Sequence, residues 1–381
     1  MKEDTRMNVL QVTSGFRKGV SGGIPSVLFN YCTAPAFEDR EIHFDYLSLG
    51  YQTFEPYREQ LEEKGGTLYN LDIHSTGMKQ MFEIIAKLSA FIKRKAYDVV
   101  HINSGALTQV LACAIAAKLA GTPRIIVHSH NALVKVKSRE ILYALLKPLF
   151  YMVADDYFAC AEIAAKSMFP SGILKKNRWI MIPNAIEIDR FMYDEEIRAQ
   201  YRKELGLEDK FVIGHVGRFN AQKNHSFLLD VYYDVLKFKP DAVLLLVGTG
   251  DLQSKILAKA ENLNISDKVI FTGQRRDANN LMQAMDVFVF PSLYEGLGMV
   301  LIEAQVSGLR VVTSDKVPYR ETNVTDCISY LPLNQKAAWV EEICRPAVEM
   351  KRQDRSREIA ESGYDIAVAA EKLKKIYLSK L

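Results

Sequence analysis

The sequence predicts an α/β protein made of two doubly wound parallel sheets in tandem, and three observations carry that prediction. Short β-branched runs alternate with longer amphipathic ones along the chain. The short runs are apolar on both faces, as strands covered by helices on both sides must be. The alternation restarts after "PNAIEIDRF" (183–191), which marks a second series. A length of 381 residues suits two cores better than one.

In chain order, the first series reads as strands at 8–14, 42–49, 67–73, 98–102, 124–130, 156–160 and 179–183. Helical patterns fill 78–95, 106–120, 138–153 and 162–169. The second series reads as strands at 211–217, 242–248, 268–273, 286–290 and 310–314, with helices between. A helical stretch at 354–379 closes the chain. The expected domains are 1–185 and 186–353, with a cleft between them, and 354–381 as a helix crossing back over the junction towards the first.

Composition narrows the function. A net charge of +3 from 49 basic and 46 acidic residues gives no electrostatic footprint for nucleic acid. Five widely spread cysteines without a CxxC spacing argue for reduced thiols in the cytoplasm, and against a disulfide framework or a zinc site. No secretory signal is visible behind "MKEDTR". The longest apolar runs, 106–121 and 142–154, are too short to span a bilayer.

In doubly wound sheets ligands bind beyond the carboxyl ends of the strands, so those loops are read as a set. After the first strand, "SGFRKGVSGGIPSV" places Gly22 and Gly23 before Pro25, a turn and helix start able to approach an anion. A tight turn without a ligand explains it equally well. The glycine spacing is not GxGxxG, which argues against a nicotinamide enzyme. In "VHSHN" the alternation puts His128 and His130 on one side of a strand, with His130 nearer its end. A two-histidine metal site would need a third ligand that the sequence does not mark.

The second series opens with "GHVGRFNAQKNHSFLLD". Arg218 at the strand end and Lys223 just before a helix expected at 224–238 would make a diphosphate site, against the plain alternative of a solvated pair. Gly248, Gly250 and Gly273 end later strands and are expected to leave room for a base or phosphate. "PSLYEGLGMVLIEAQVSG" then supplies Glu295 in a loop and Glu303 on the second turn of a helix closed by Gly308. Carboxylates accept paired hydrogen bonds from a vicinal diol, so one could hold a ribose and the other a sugar. The amides of about 297–300 would meet the diphosphate between them.

These residues resemble the retaining glycosyltransferases of family 4, with the GT-B fold of two Rossmann-like domains. The resemblance rests on the first-strand "GG" loop, "VHSHN", "ACAEIAAKSMF", "IPNAIEIDRF", "VGRFNAQKNH", "VGTGDL", "FTGQRRD" and "PSLYEGLGMVLIEA", and covers nearly the whole chain. Within the family it looks closest to bacterial exopolysaccharide and capsule enzymes. It implies a nucleotide-diphosphate sugar donor, a UDP-sugar, a glycan or lipid-linked acceptor, retention at the anomeric carbon, and no cofactor or metal. Consistently, no Asp-x-Asp occurs.

By position, the resemblance implies that Glu303 binds the ribose, and that Glu295 with Gly296, Leu297, Gly298 and Met299 orients the sugar. Arg218 and Lys223 would stabilise the departing diphosphate, and His130 would contact the sugar near the reacting carbon. Gly22, Gly23, Gly248, Gly250, Asn184 and Arg275 would be further substrate contacts, Arg275 beside the base. The chain departs from the family pattern at Leu297, at Leu309–Arg310, at Ala161 and in "GGIP". Two rivals share the architecture, a nucleotide-sugar epimerase and a non-catalytic nucleotide-sugar-binding subunit. Residues 131–180 carry eight basic side chains against four acidic ones, around the apolar "ILYALLKPLFYM". This leads to an expectation of peripheral contact with anionic membrane at the cytoplasmic face.

Overall fold

The computed structural model describes residues 6–15, 23–130, 137–346 and 352–379. The chain divides into two compact units, Met1–Ile186 with Ile366–Leu381, and Glu187–Asp365.

The first unit holds β1 (Met7–Thr13), β2 (Ile42–Ser48), β3 (Leu68–Asn70), β4 (Val99–Ser104), β5 (Arg124–Ser129), β6 (Asp156–Ala159) and β7 (Ile180–Met181). They form one parallel sheet in the order β3-β2-β1-β4-β5-β6-β7. The winding reverses between β1 and β4, where Gln11 lies opposite His101. β4 and β5 are buried at every position, including their polar His101, Asn103, Ser104, Arg124, His128 and Ser129, as central strands covered on both faces are. Helix Leu107–Ala120 is buried over most of its surface, whereas Gly77–Lys95 buries only the stripe Ile84, Leu88, Phe91 and Ile92.

The second unit holds β8 (Phe211–Val216), β9 (Ala242–Val247), β10 (Val269–Gly273), β11 (Val287–Phe290), β12 (Arg310–Ser314) and β13 (Ile328–Leu331). Their parallel order is β10-β9-β8-β11-β12-β13, with the reversal between β8 and β11. This is the doubly wound order, and it aims the loops after β8 and β11 at one switch point.

Several expected boundaries change. The strands expected at 67–73 and 179–183 shrink to β3 and β7, the two edges of their sheet, where short strands limit unpaired backbone. The helix expected at 138–153 breaks at Pro148 into Lys137–Leu146, a 3₁₀ turn Lys147–Leu149 and Phe150–Val153. The closing stretch is not one helix. Ser356–Glu361 belongs to the second unit and Ile366–Leu378 to the first, with Gly363 at φ +86° between them. The Ile366 amide donates to the Ile186 carbonyl (3.0 Å), so the chain re-enters the first unit where it left. β13 was not anticipated, being four residues long and at the edge of its sheet.

Candidate functional site

In the second unit, Arg218 follows the end of β8, and the chain turns through a 3₁₀ segment, Ala221–Lys223. The Asn220 side chain closes that turn by accepting from the Lys223 amide (3.1 Å). The following helix starts at His225, after Asn224 in the left-handed region, so Lys223 ends a turn of its own and does not abut the helix. Lys223 Nζ lies 4.4 Å from the centre of the Phe290 ring on β11 and donates to Glu295 Oε1 at 2.7 Å. Gln222 Nε2 donates to Glu295 Oε2 at 3.0 Å, so both carboxylate oxygens are engaged. Glu295 is 5% exposed, and this pairing is what makes its burial tolerable.

Glu303 is held differently. It lies on helix Met299–Val306, half-buried, and among the described residues its carboxylate has no hydrogen-bond partner. Burial pushes its pKa up to about 7, opposed by the positive charges of Arg190 and Lys223. Gly298 starts that helix at φ +83°, and the leftover N–H groups of the first turn follow it. Gly296 and Leu297 are buried in the loop before it. The two carboxylates that looked alike in the sequence are thus a neutralised pair and an unpaired, desolvated acid.

Arg218 reaches Asp251 at 3.5 Å, a long contact to an exposed carboxylate that a ligand could replace. Gly248 and Gly250 do not leave room above the sheet: a Cβ on either would lie 2.2 Å from the Gly217 carbonyl oxygen or 2.4 Å from that of Phe219. Their smallness serves the packing of two loops. Only at Gly273 is the corresponding space open. Arg275 is turned to Asp277, with Nε and Nη2 at 2.8 and 2.6 Å from its carboxylate, and this pair holds Asp277 well below the usual carboxylate range. The reading of the sequence missed Gln222 and Arg190. Gln222 directly precedes Lys223, and Arg190 stands in the quoted "IPNAIEIDRF".

In the first unit, His128 and His130 lie together as alternation required, their ring centres 3.9 Å apart. His130 follows β5, is 3% exposed, and meets Asn103 Oδ1 at 3.0 Å through Nε2 and Asn184 Oδ1 at 3.3 Å through Nδ1. Burial lowers its pKa to about 4. Gly23 begins helix Gly23–Thr33, with no atom of the described residues within 4 Å of where a Cβ would stand, and Gly22 lies outside the described residues. Among the described residues no group of three or more His, Cys, Asp or Glu side chains could hold a metal ion, and no helix is long and apolar enough to cross a membrane.

Two doubly wound parallel units in tandem are the architecture of the GT-B fold. The description "Glycosyl transferases group 1" matches residues 197–336, and "Glycosyl transferase 4-like domain" matches residues 32–185. The chain is 30% identical over 370 residues to EpsF of Bacillus subtilis (strain 168), a glycosyltransferase by name, covering 95% of this chain and 94% of that one. It therefore belongs to the group 1 glycosyltransferases, among bacterial relatives of the exopolysaccharide and capsule type. It is also 26% identical over 325 residues to the UDP-Gal:alpha-D-GlcNAc-diphosphoundecaprenol alpha-1,3-galactosyltransferase of Escherichia coli, covering 79% and 80% of the two chains. Anabaena HepE, solved in complex with UDP and glucose, matches with a TM-score of 0.77 over 99% of this chain and 100% of that one. At 19% identity that likeness speaks for the fold alone.

Proposed function

We propose that this glycosyltransferase takes a sugar from a UDP-sugar and passes it, with retention at the anomeric carbon and without a metal, to a glycan or lipid-linked acceptor in polysaccharide biosynthesis. The observation that carries this reading is the unlike state of the two carboxylates near Lys223, one paired with it and the other unpaired. Glu303, unpaired, would accept both hydroxyls of a ribose once ionised. Glu295, held rigid by Lys223 and Gln222, would orient the sugar. Positive charge for the leaving diphosphate would come from Arg218, Lys223 and the helix that Gly298 starts. The leaving phosphate oxygen would take the proton of the incoming hydroxyl on the same face, while the anomeric centre passes through an oxocarbenium-like state. The Escherichia coli relative is named for a UDP-sugar donor and a diphosphoundecaprenol-linked acceptor, which supports the choice of nucleotide and acceptor class.

Incubation with labelled UDP-, GDP- and ADP-sugars and lipid-linked acceptors tests this, with the product anomer read by NMR. Transfer from the UDP-sugar with retention, undiminished by EDTA, is expected. Sugar interconversion without transfer, an inverted product or a loss of rate in EDTA would overturn it.

The surface of the first unit extends the proposal to an anionic membrane. Ile141, Leu145 and Met152 are 77, 70 and 72% exposed on the segments either side of Pro148, and Lys175, Lys176 and Arg178 are exposed in the same unit. Lys135, Lys137 and Arg139 of the expected basic set lie outside the described side chains. Apolar side chains in the interface with cations toward the headgroups would give salt-sensitive binding. Flotation with anionic vesicles at low salt should carry the protein, and Ile141→Glu with Leu145→Glu should abolish this. Failure to float at low salt counts against the membrane contact.

A further inference from the structure

His130 sits at the end of a buried hydrogen-bond chain whose direction is fixed by one backbone carbonyl. Asn103 Nδ2 donates to the His101 carbonyl oxygen at 3.0 Å and to Gln11 Oε1 at 2.9 Å. A backbone carbonyl only accepts, so it decides which end of the Asn103 amide is nitrogen, a choice that side-chain partners alone would leave open. The other end, Oδ1, therefore faces His130 Nε2 at 3.0 Å. An amide oxygen only accepts as well, so Nε2 must carry the hydrogen.

The same direction runs onward. Gln11, whose oxygen is taken by Asn103, turns Nε2 to the Tyr377 hydroxyl at 3.1 Å, and that hydroxyl meets His101 Nδ1 at 2.6 Å. Gln11, His101, Asn103, His130 and Tyr377 are all at most 3% exposed, so bulk water does not compete for these bonds. Arg124 holds the final helix in place, Nη1 donating to the carbonyls of Ile376 and Tyr377 at 2.9 and 2.8 Å while Nε pairs with Asp156 at 2.7 Å. With its pKa lowered to about 4 by burial, the His130 ring is neutral near pH 7 and has only one hydrogen to place. Nδ1 is then a lone pair. Among the described residues the Asn184 amide, 3.3 Å away, has no other hydrogen-bond partner, so it can rotate to present its nitrogen.

We infer that Asn103 is a positioning residue that locks His130 in the Nε2–H tautomer, so that Nδ1 serves as a hydrogen-bond acceptor for a sugar hydroxyl displacing Asn184. The part assigned to the sugar rests on the functional reading above; the tautomer does not.

Two-bond ¹H–¹⁵N spectra of the full chain labelled in histidine, at pH 7 and without substrate, test it, with the ring assigned by its loss in His130→Gln. The wild type should show His130 as Nε2–H. Asn103→Leu should shift it to a mixture or to Nδ1–H and lower kcat by roughly 10- to 100-fold, by analogy with losing a partner that orients a metal-bound histidine. Tyr377→Phe removes an equally buried bond of the chain, and should release the His101 tautomer while leaving that of His130 unchanged. A wild-type Nδ1–H ring, or a pure Nε2–H ring in folded Asn103→Leu, overturns the inference. Should Asn103→Leu not fold, the wild-type spectrum and Tyr377→Phe decide it. Because no donor is present, a wrong tautomer refutes the relay alone, and a right tautomer without sugar transfer refutes only the functional reading.

Discussion

Glu295 and Glu303 stand eight positions apart, yet their neighbours give them opposite physical characters. Glu295 is held at 2.7 Å by Lys223, and replacing it with Gln leaves that ammonium, on a mostly buried side chain, without its counter-charge. Glu295→Gln should therefore lower the melting temperature by several degrees and abolish transfer, while free UDP still binds. Glu303 carries the reverse cost. Its folded pKa of about 7 lies above the unfolded value of 4.5, so the folded state binds the extra proton between these values, and stability falls as pH rises through that window. Glu303→Gln removes that penalty. It should raise the melting temperature at pH 8, where the penalty is complete, and leave it unchanged at pH 4, where both states are protonated. A matched pair of melting curves checks this, and a lower melting temperature for Glu303→Gln at pH 8 would refute it. The same acid must ionise before it can accept two ribose hydroxyls, so UDP affinity should weaken by up to about tenfold per pH unit below 7. The terminal phosphate of UDP titrates nearby, so the Glu303→Gln titration supplies the baseline. Arg218→Ala, whose ion pair is long and exposed, should reduce kcat by roughly 10²- to 10³-fold with little change in melting temperature. Lys223→Ala should lose both rate and stability, because it strands Glu295.

At the scale of elements, the loops after β8 and β9 fit because two glycines let them touch. Gly248→Ala and Gly250→Ala would drive a Cβ into the backbone of Gly217 or Phe219, which has no flexible side-chain atom to yield. Either substitution should displace the Arg218 loop and lower the melting temperature by several degrees, together with UDP affinity. Gly273→Ala meets no atom within 4 Å and carries only the strain of φ +71°, of the order of 1–2 kcal/mol. Calorimetric melting of the three variants should rank them in that way; an equal cost at Gly273 would show that backbone strain and not loop contact is what the glycines relieve.

At the scale of the molecule, the first unit is completed by the last helix of the chain. Ile366, Ala369, Ala370, Leu373 and Tyr377 are buried in its core, and Arg124 binds the helix end. Ending the chain after Asp365 should remove these contacts and unfold or loosen residues 6–186 while leaving 187–365 folded. Differential scanning calorimetry, with hydrogen exchange to assign the transitions, reads this directly. Equal protection of the first unit with and without residues 366–381 would contradict it.

The local code of the chain was enough to determine two doubly wound series, the strand–glycine endings and the identity of the charged residues after them. Period, β-branching and turn chemistry act over a few residues, and the sequence displays all three. Short edge strands such as β3, β7 and β13 were poorly legible, because half-buried runs of two to four residues carry little pattern. The division of the closing stretch was hidden for a different reason: 354–379 is helical in pattern on both sides of Gly363, and burial assigns its halves to different units. The site followed the same rule. Candidate residues could be read from their place beyond the strand ends, but not that Glu295 pairs with Lys223 across 72 positions, that Glu303 is left desolvated, or that Asn103 faces His130. Ion pairing, desolvation and tautomer are properties of the groups a side chain meets, and residues distant in sequence meet only when the sheets are assembled.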